Sequence, residues 1–150
     1  TDPGTRNTTV GQLPLDVQVW AVLGVTGSLA LHPAILEHAV ANHWTSDAGF
    51  EGVDFNEDRD GIWFEGTAQL CVALSLAGDE ARATLLREQL ALAQRTPPFG
   101  DGFGVAATTR DALTTGFGFK YFRRVHIAAT AWAIMALNGY NPYTQTRTLP

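Results

Sequence analysis

Residues 54–78 read DFNEDRDGIWFEGTAQLCVALSLAG. Asp54, Glu57, Asp58, Asp60 and Glu65 crowd the first half, and the second half is an uninterrupted apolar helix pattern. A helix that is apolar all round must be buried, so the charge stands beside a core element. Three uses of that charge compete: a solvated loop, a metal-binding loop and the rim of an active site. The helix is expected from about Glu65 to Ala77, closed by Gly78, and DEARATLLREQLALAQR (79–95) follows at once with Asp79 as N-cap. Two helices joined by so short a turn form an αα-hairpin, which sets the expectation for the whole fold.

Working outward, three more segments carry helical patterning, and no convincing alternating strand is found. PLDVQVWAVLGV (14–25) starts on a proline and is apolar on almost every side. HPAILEHAVANHW (32–44) also opens on a proline and places Ile35, Leu36, Ala39 and Val40 on one face. The last helix is expected over 125–138, ending at NGYNP, where Gly139 takes the left-handed cap and Pro142 blocks continuation. Apolar helices (first, third, fifth) alternate with amphipathic ones (second, fourth), as stacked helical hairpins require when one layer is buried and the other faces water. With Trp20, Gln69 and Trp132 aligned, the three apolar helices look like copies of one another, a likeness that any apolar helices share in part. The fold expected is therefore all-α, a single domain over 1–150 built of stacked hairpins, with long glycine- and aromatic-rich loops. Trp20, Leu70, Leu74, Trp132 and Met135 are its expected core residues.

Composition excludes several classes of function. Ten basic against fifteen acidic residues give a net charge of -5, so nothing drives counterion release on nucleic acid and no polybasic patch addresses a membrane. No apolar run approaches the roughly 20 residues of a spanning helix. The N-terminal TDPGTRNTTVGQ is polar and turn-rich rather than a signal segment. A single cysteine, Cys71, rules out an intrachain disulfide framework and leaves the compartment open, secreted and periplasmic included. GFGVAA (102–107) follows prolines rather than a strand, which makes a dinucleotide site a poor reading. His38 and His43 do not share a helix face, which argues against zinc.

PLDVQVWAVLG, GIWFEGTAQLCVALSLAG and RRVHIAATAWAIMALNGYNP together resemble the α/α toroid group. In that group inner and outer helices alternate around a central funnel, as in many carbohydrate-active enzymes. The resemblance implies part of a toroid, since five helices fall short of closing one, and hence an oligomer or a segment of a larger protein. It also implies a glycan substrate.

The helix alignment places Asp16 and Glu65 at the same first-turn position of two buried helices, with His126 near the corresponding turn of the third. On parallel hairpins they share one rim. The dipole of a helix N-terminus lowers a carboxyl pKa and burial raises it, and two carboxyls in different environments suit acid/base cleavage of a glycosidic bond. Glu65 is the expected acid, desolvated by Trp63 and Phe64, and Asp16 its ionised partner. Gln18, Trp63, Gln69, Tyr121, Arg123 and His126 are the expected glycan contacts. First-turn carboxylates also occur simply as caps, so the alternative is a non-catalytic helical module that binds glycan or a protein partner. In DFNEDRDG, Asp54, Asn56, Asp58 and Asp60 recur every second residue, as oxygen ligands do in a calcium loop. Thr67 falls where such a loop places its closing bidentate glutamate, and a solvated acidic turn is the competing reading.

Overall fold

The computed structural model describes Thr9 and residues 12–149. At its centre is α4 (Phe64–Leu76), on which every residue from Gly66 to Ser75 is buried. Around it pack α1 (Leu15–Gly24), α5 (Glu80–Arg95) and α6 (Ile127–Leu137), while α2 (Ser28–Leu31) and α3 (Ile35–His43) lie against α1. Between α4 and α5, Gly78 takes φ 81° and the Asp79 side chain accepts from the Arg82 backbone N–H, so the hairpin turns as its cap residues dictate. One hydrophobic cluster, running from Leu15 to Ala136, joins these helices. Among the described residues no helix is long and apolar enough to cross a membrane.

The all-α expectation is overturned. Among the described residues, three two-stranded antiparallel sheets accompany six helices: β1 (Trp44–Asp47) with β2 (Phe50–Val53), β3 (Leu113–Thr114) with β4 (Lys120–Tyr121), and β5 (Tyr140–Asn141) with β6 (Thr146–Arg147). Nor does a toroid appear, because the helices gather on α4 and α1 and close no ring. The reason the strands escape a sequence reading is physical. Each is two to four residues long and pairs only with its hairpin partner, which is too short for a period of two to register. β1 also follows α3 without a break, and its turn is made by Ala48 and Gly49, both at positive φ.

Burial departs from expectation as well. Leu70 and Leu74 are fully buried, but Trp20 is 39% exposed, and Trp132 and Met135 are half-buried. α6 turns Ala129, Ala133 and Ala136 inward and leaves Ile127 and Ile134 exposed. Small residues at that spacing let the α6 backbone approach α4 closely, and the bulky side chains of the same helix are displaced outward. α1 likewise buries Leu15, Val19, Val22 and Leu23 and exposes Val17.

Candidate active site

A buried segment, Val105 to Thr109, ties two chain regions into one rim. On one side the Phe64 N–H donates to the Ala107 carbonyl and the Thr109 N–H to the Ile62 carbonyl; on the other, the Ala107 N–H donates to Arg124 and the His126 N–H to Val105. The first turn of α4, bearing Glu65, is thereby fastened beside the start of α6, bearing His126. A third region joins through α1, whose Leu15 N–H donates to the Phe55 carbonyl and whose first turn carries Asp16. The β3–β4 hairpin supplies Tyr121, opposite the fully buried Leu113.

Glu65, Asp16, Gln69, Tyr121 and His126 converge there. Burial, and after it the charge of the nearby Asp16 carboxylate, together raise the Glu65 carboxyl to a pKa of about 7. Burial also lifts Asp16, opposed by the backbone N–H of Val17, which donates to its Oδ1 at 2.8 Å. Gln69 is fully buried and donates through Nε2 to Glu65 Oε1 at 3.3 Å, while its own carbonyl oxygen has no hydrogen-bond partner among the described residues. An amide offers both a donor and an acceptor, so a half-turn of the Gln69 amide would let its oxygen accept a hydrogen bond from the O–H of a protonated Glu65. The Tyr121 phenol is held at about 12 by burial and by the two carboxylates. His126 Nδ1 lies 4.0 Å from Glu65 Oε2 and caps α6 by accepting from the Ala129 N–H. A nitrogen that accepts carries no proton, which leaves Nε2–H as the donor of the ring.

Three expected glycan contacts lie elsewhere. Gln18 faces α3, donating to the Pro14 carbonyl and bridging His43 and His38 at 3.0 Å each. Its position two residues beyond Asp16 turns it to another face of α1, away from the carboxyls. Trp63 is 1% exposed and cannot meet a sugar. It stacks under Tyr121 with centroids 5.8 Å apart and packs edge-on against Phe55, so it supports the rim from below. Arg123 turns to Asp111 and to the face of Phe99. Its neighbour Arg124 instead lines, with Lys120, Tyr121, Phe122 and His126, a cleft of about 420 Å³. Tyr143 was also missed: burial raises its phenol, and Asp16 and Glu65 add to the shift. Its sequence context, NPYTQ, reads only as the end of a helix, so no local signal marks it.

The acidic loop gathers as its spacing suggests. Asp54, Asp58 and Asp60 bring one carboxylate oxygen each within 4.8 Å of the others, a donor set of the hard oxygen type that suits a divalent cation such as Ca²⁺. Asn56 is buried and donates from Nδ2 to Asp58 at 3.3 Å, so its amide nitrogen holds the loop together. The same carboxylates pin neighbouring chain: Asp54 accepts from the Phe55 and Asp60 N–H groups, Asp60 and Asp58 from Thr114, and Glu57 from the Leu13 N–H. Burial and the facing Asp58 carboxyl push Asp54 up to about 8. Burial also pushes Asp58 upward, but hydrogen bonds from Thr114 and its loop neighbours outweigh that and leave it lowered. The Asp54 carboxyl therefore keeps a proton in this arrangement.

No known protein family, curated protein or solved structure matches this chain.

Proposed function

We propose that this chain carries the acid/base pair of a glycan-cleaving hydrolase, with Glu65 as general acid and Asp16 as its ionised partner. The observation that carries the reading is one carboxyl kept protonated to about pH 7 by burial, beside a second carboxyl at the same rim. Cleavage of a glycosidic bond needs that division: one group gives a proton to the leaving oxygen, and the other stabilises the sugar cation or activates water. Gln69 holds the Glu65 carboxyl in place, Tyr121 and His126 supply hydroxyl and N–H contacts, and the exposed rings of Phe117, Phe119 and Phe122 offer apolar faces to sugar rings. The exposed face of α6, with Ile127, Ile134 and the neighbouring Phe103 and Val125, supports association with another protein surface, a second copy included.

The test is turnover on a panel of oligosaccharides by the parent chain and its Glu65→Gln and Asp16→Asn variants, with melting temperature as the control for folding. A substrate cleaved by the parent should lose roughly 10²- to 10⁴-fold in rate in each variant. Unchanged rates in both would leave a binding module as the better reading.

A further inference from the structure

The cleft next to the carboxyls differs in charge from the rest of the molecule. The chain is acidic overall, at -5, and Lys120 is its one lysine. Most of its arginines are committed: Arg82 to Glu37 and Asp79, Arg87 to Glu80, Arg110 to Asp47, Arg123 to Asp111, Arg59 and Arg95 to backbone carbonyls. Lys120 and Arg124 are not. Among the described residues the Lys120 ammonium has no ion pair or hydrogen bond, and the Arg124 guanidinium lies over the Phe122 ring at 5.6 Å with no acceptor on its five N–H groups. Both line the same cleft as Tyr121 and His126, so an unneutralised basic pair borders the site.

We infer that the substrate is an acidic glycan, and that Lys120 and Arg124 bind the anionic group on the sugar next to the glycosidic oxygen that Glu65 protonates. The inference rests on the glycan reading above and deepens it by naming the substrate class. Free cations on an exposed rim are ordinary. Two of them in one cleft, uncompensated in a protein with surplus carboxylates and flanked by an aromatic face for a ring, form a receptor for a sugar that carries a charge. The planar fork of Arg124 suits two oxygens of a carboxylate or sulfate, and the Lys120 ammonium adds a point charge. His126 joins the two regions, lining the cleft while its Nδ1 lies 4.0 Å from Glu65.

Calorimetric titration tests this with matched probes. These are hexasaccharides of galacturonate, mannuronate and glucuronate-containing polymers, the same oligomers after reduction of their carboxyls, and sulfated galactan oligomers. At least one acidic oligomer should bind, its neutral counterpart should bind at least about tenfold more weakly, and affinity should fall as salt rises. Because the protein as a whole repels polyanions, that salt dependence isolates the local pair. Lys120→Gln and Arg124→Gln should each weaken binding by about tenfold or more, in the range for a lost charged hydrogen bond. Lys120→Arg should retain it, and Arg95→Gln, which removes an equal charge from α5, should leave it unchanged. Preference for the uronate or the sulfated arm identifies the anionic group. Equal binding of acidic and reduced oligomers, undiminished binding by the Lys120→Gln/Arg124→Gln double variant, or no binding by any acidic arm at millimolar concentration overturns the inference. The two readings separate cleanly. Neutral glycans cleaved in a Glu65-dependent manner would sink only the acidic-substrate inference. Acidic glycans bound through Lys120 and Arg124, with turnover indifferent to Glu65, would sink only the catalytic assignment.

Discussion

Glu65 and Asp16 occupy the same turn of their helices and differ by one methylene, and burial raises both carboxyls. The Glu65 pKa of about 7 has a kinetic consequence. A general acid works only while protonated, so kcat should fall as pH rises through about 7 and the alkaline limb should disappear in Glu65→Gln, as a pH–rate series would show. Asp16 must be ionised, and because burial raises its pKa the acid limb is displaced upward from that of an exposed aspartate. The acidic loop makes a separate prediction about stability. Asp54 is raised from 3.8 to about 8, so between those values the folded protein binds a proton that the unfolded chain has released. Stability must then decline as pH rises across that window. The melting temperature should be lower at pH 8.5 than at pH 6, and Asp54→Asn should reduce the difference. Millimolar Ca²⁺ should raise melting at pH 8.5, where the three carboxylates are ionised, and a chelator should reverse the gain; no shift would mark the loop as an acidic turn only.

At the scale of elements, the start of α4 is the most constrained piece of the molecule. Gly66 sits in its first turn, and a methyl group there would overlap the Trp63 ring and come within 2.8 Å of Leu15 Cδ2. Replacing a helical glycine by alanine ordinarily stabilises by about 0.5–1 kcal/mol. Here both neighbours are buried and cannot yield, so Gly66→Ala should instead destabilise by about 1–3 kcal/mol, measured by urea unfolding. The same displacement would move Trp63 and the Tyr121 stacked on it. The variant should therefore lose turnover beyond what its unfolded fraction accounts for, which a structural role remote from the site would not produce. The segment from Val105 to Thr109 acts similarly, since its paired hydrogen bonds are what set α4 and α6 side by side at their N-terminal ends.

For the whole molecule, the distribution of large side chains on α6 is the decisive feature. Ile127 is 89% exposed and Ile134 54%, and with Phe103 and Val125 they border an apolar hollow of about 460 Å³. Apolar clusters of this kind mark interfaces more often than free surface. The isolated chain should self-associate at micromolar concentration, and sedimentation of an Ile127→Lys/Ile134→Lys variant should return it to monomer with no loss of melting temperature. A parent chain that sediments as a monomer over the same range argues against an interface on this face.

The residues alone determined where the five long helices run and which carboxyls open them. Pro14, Asp79, Gly78 and Gly139 act within a turn of their own positions, and apolar spacing is counted over a few neighbours, so this information is local. The matching first-turn places of Asp16 and Glu65 were legible for the same reason, whereas His126, the N-cap of α6, holds no equal position and meets Glu65 through the tertiary packing. Tertiary structure decided the rest. Strands of two to four residues exist only because a partner across a turn completes their hydrogen bonds. Arg124, whose carbonyl is held by the Ala107 N–H just before α6, lines the cleft in place of Arg123, and Tyr143 feels the charge of Asp16 from far along the chain. Which face of an all-apolar helix is covered depends on what packs against it, and the small side chains Ala129, Ala133 and Ala136 won that contact on α6 because they let the two backbones come close.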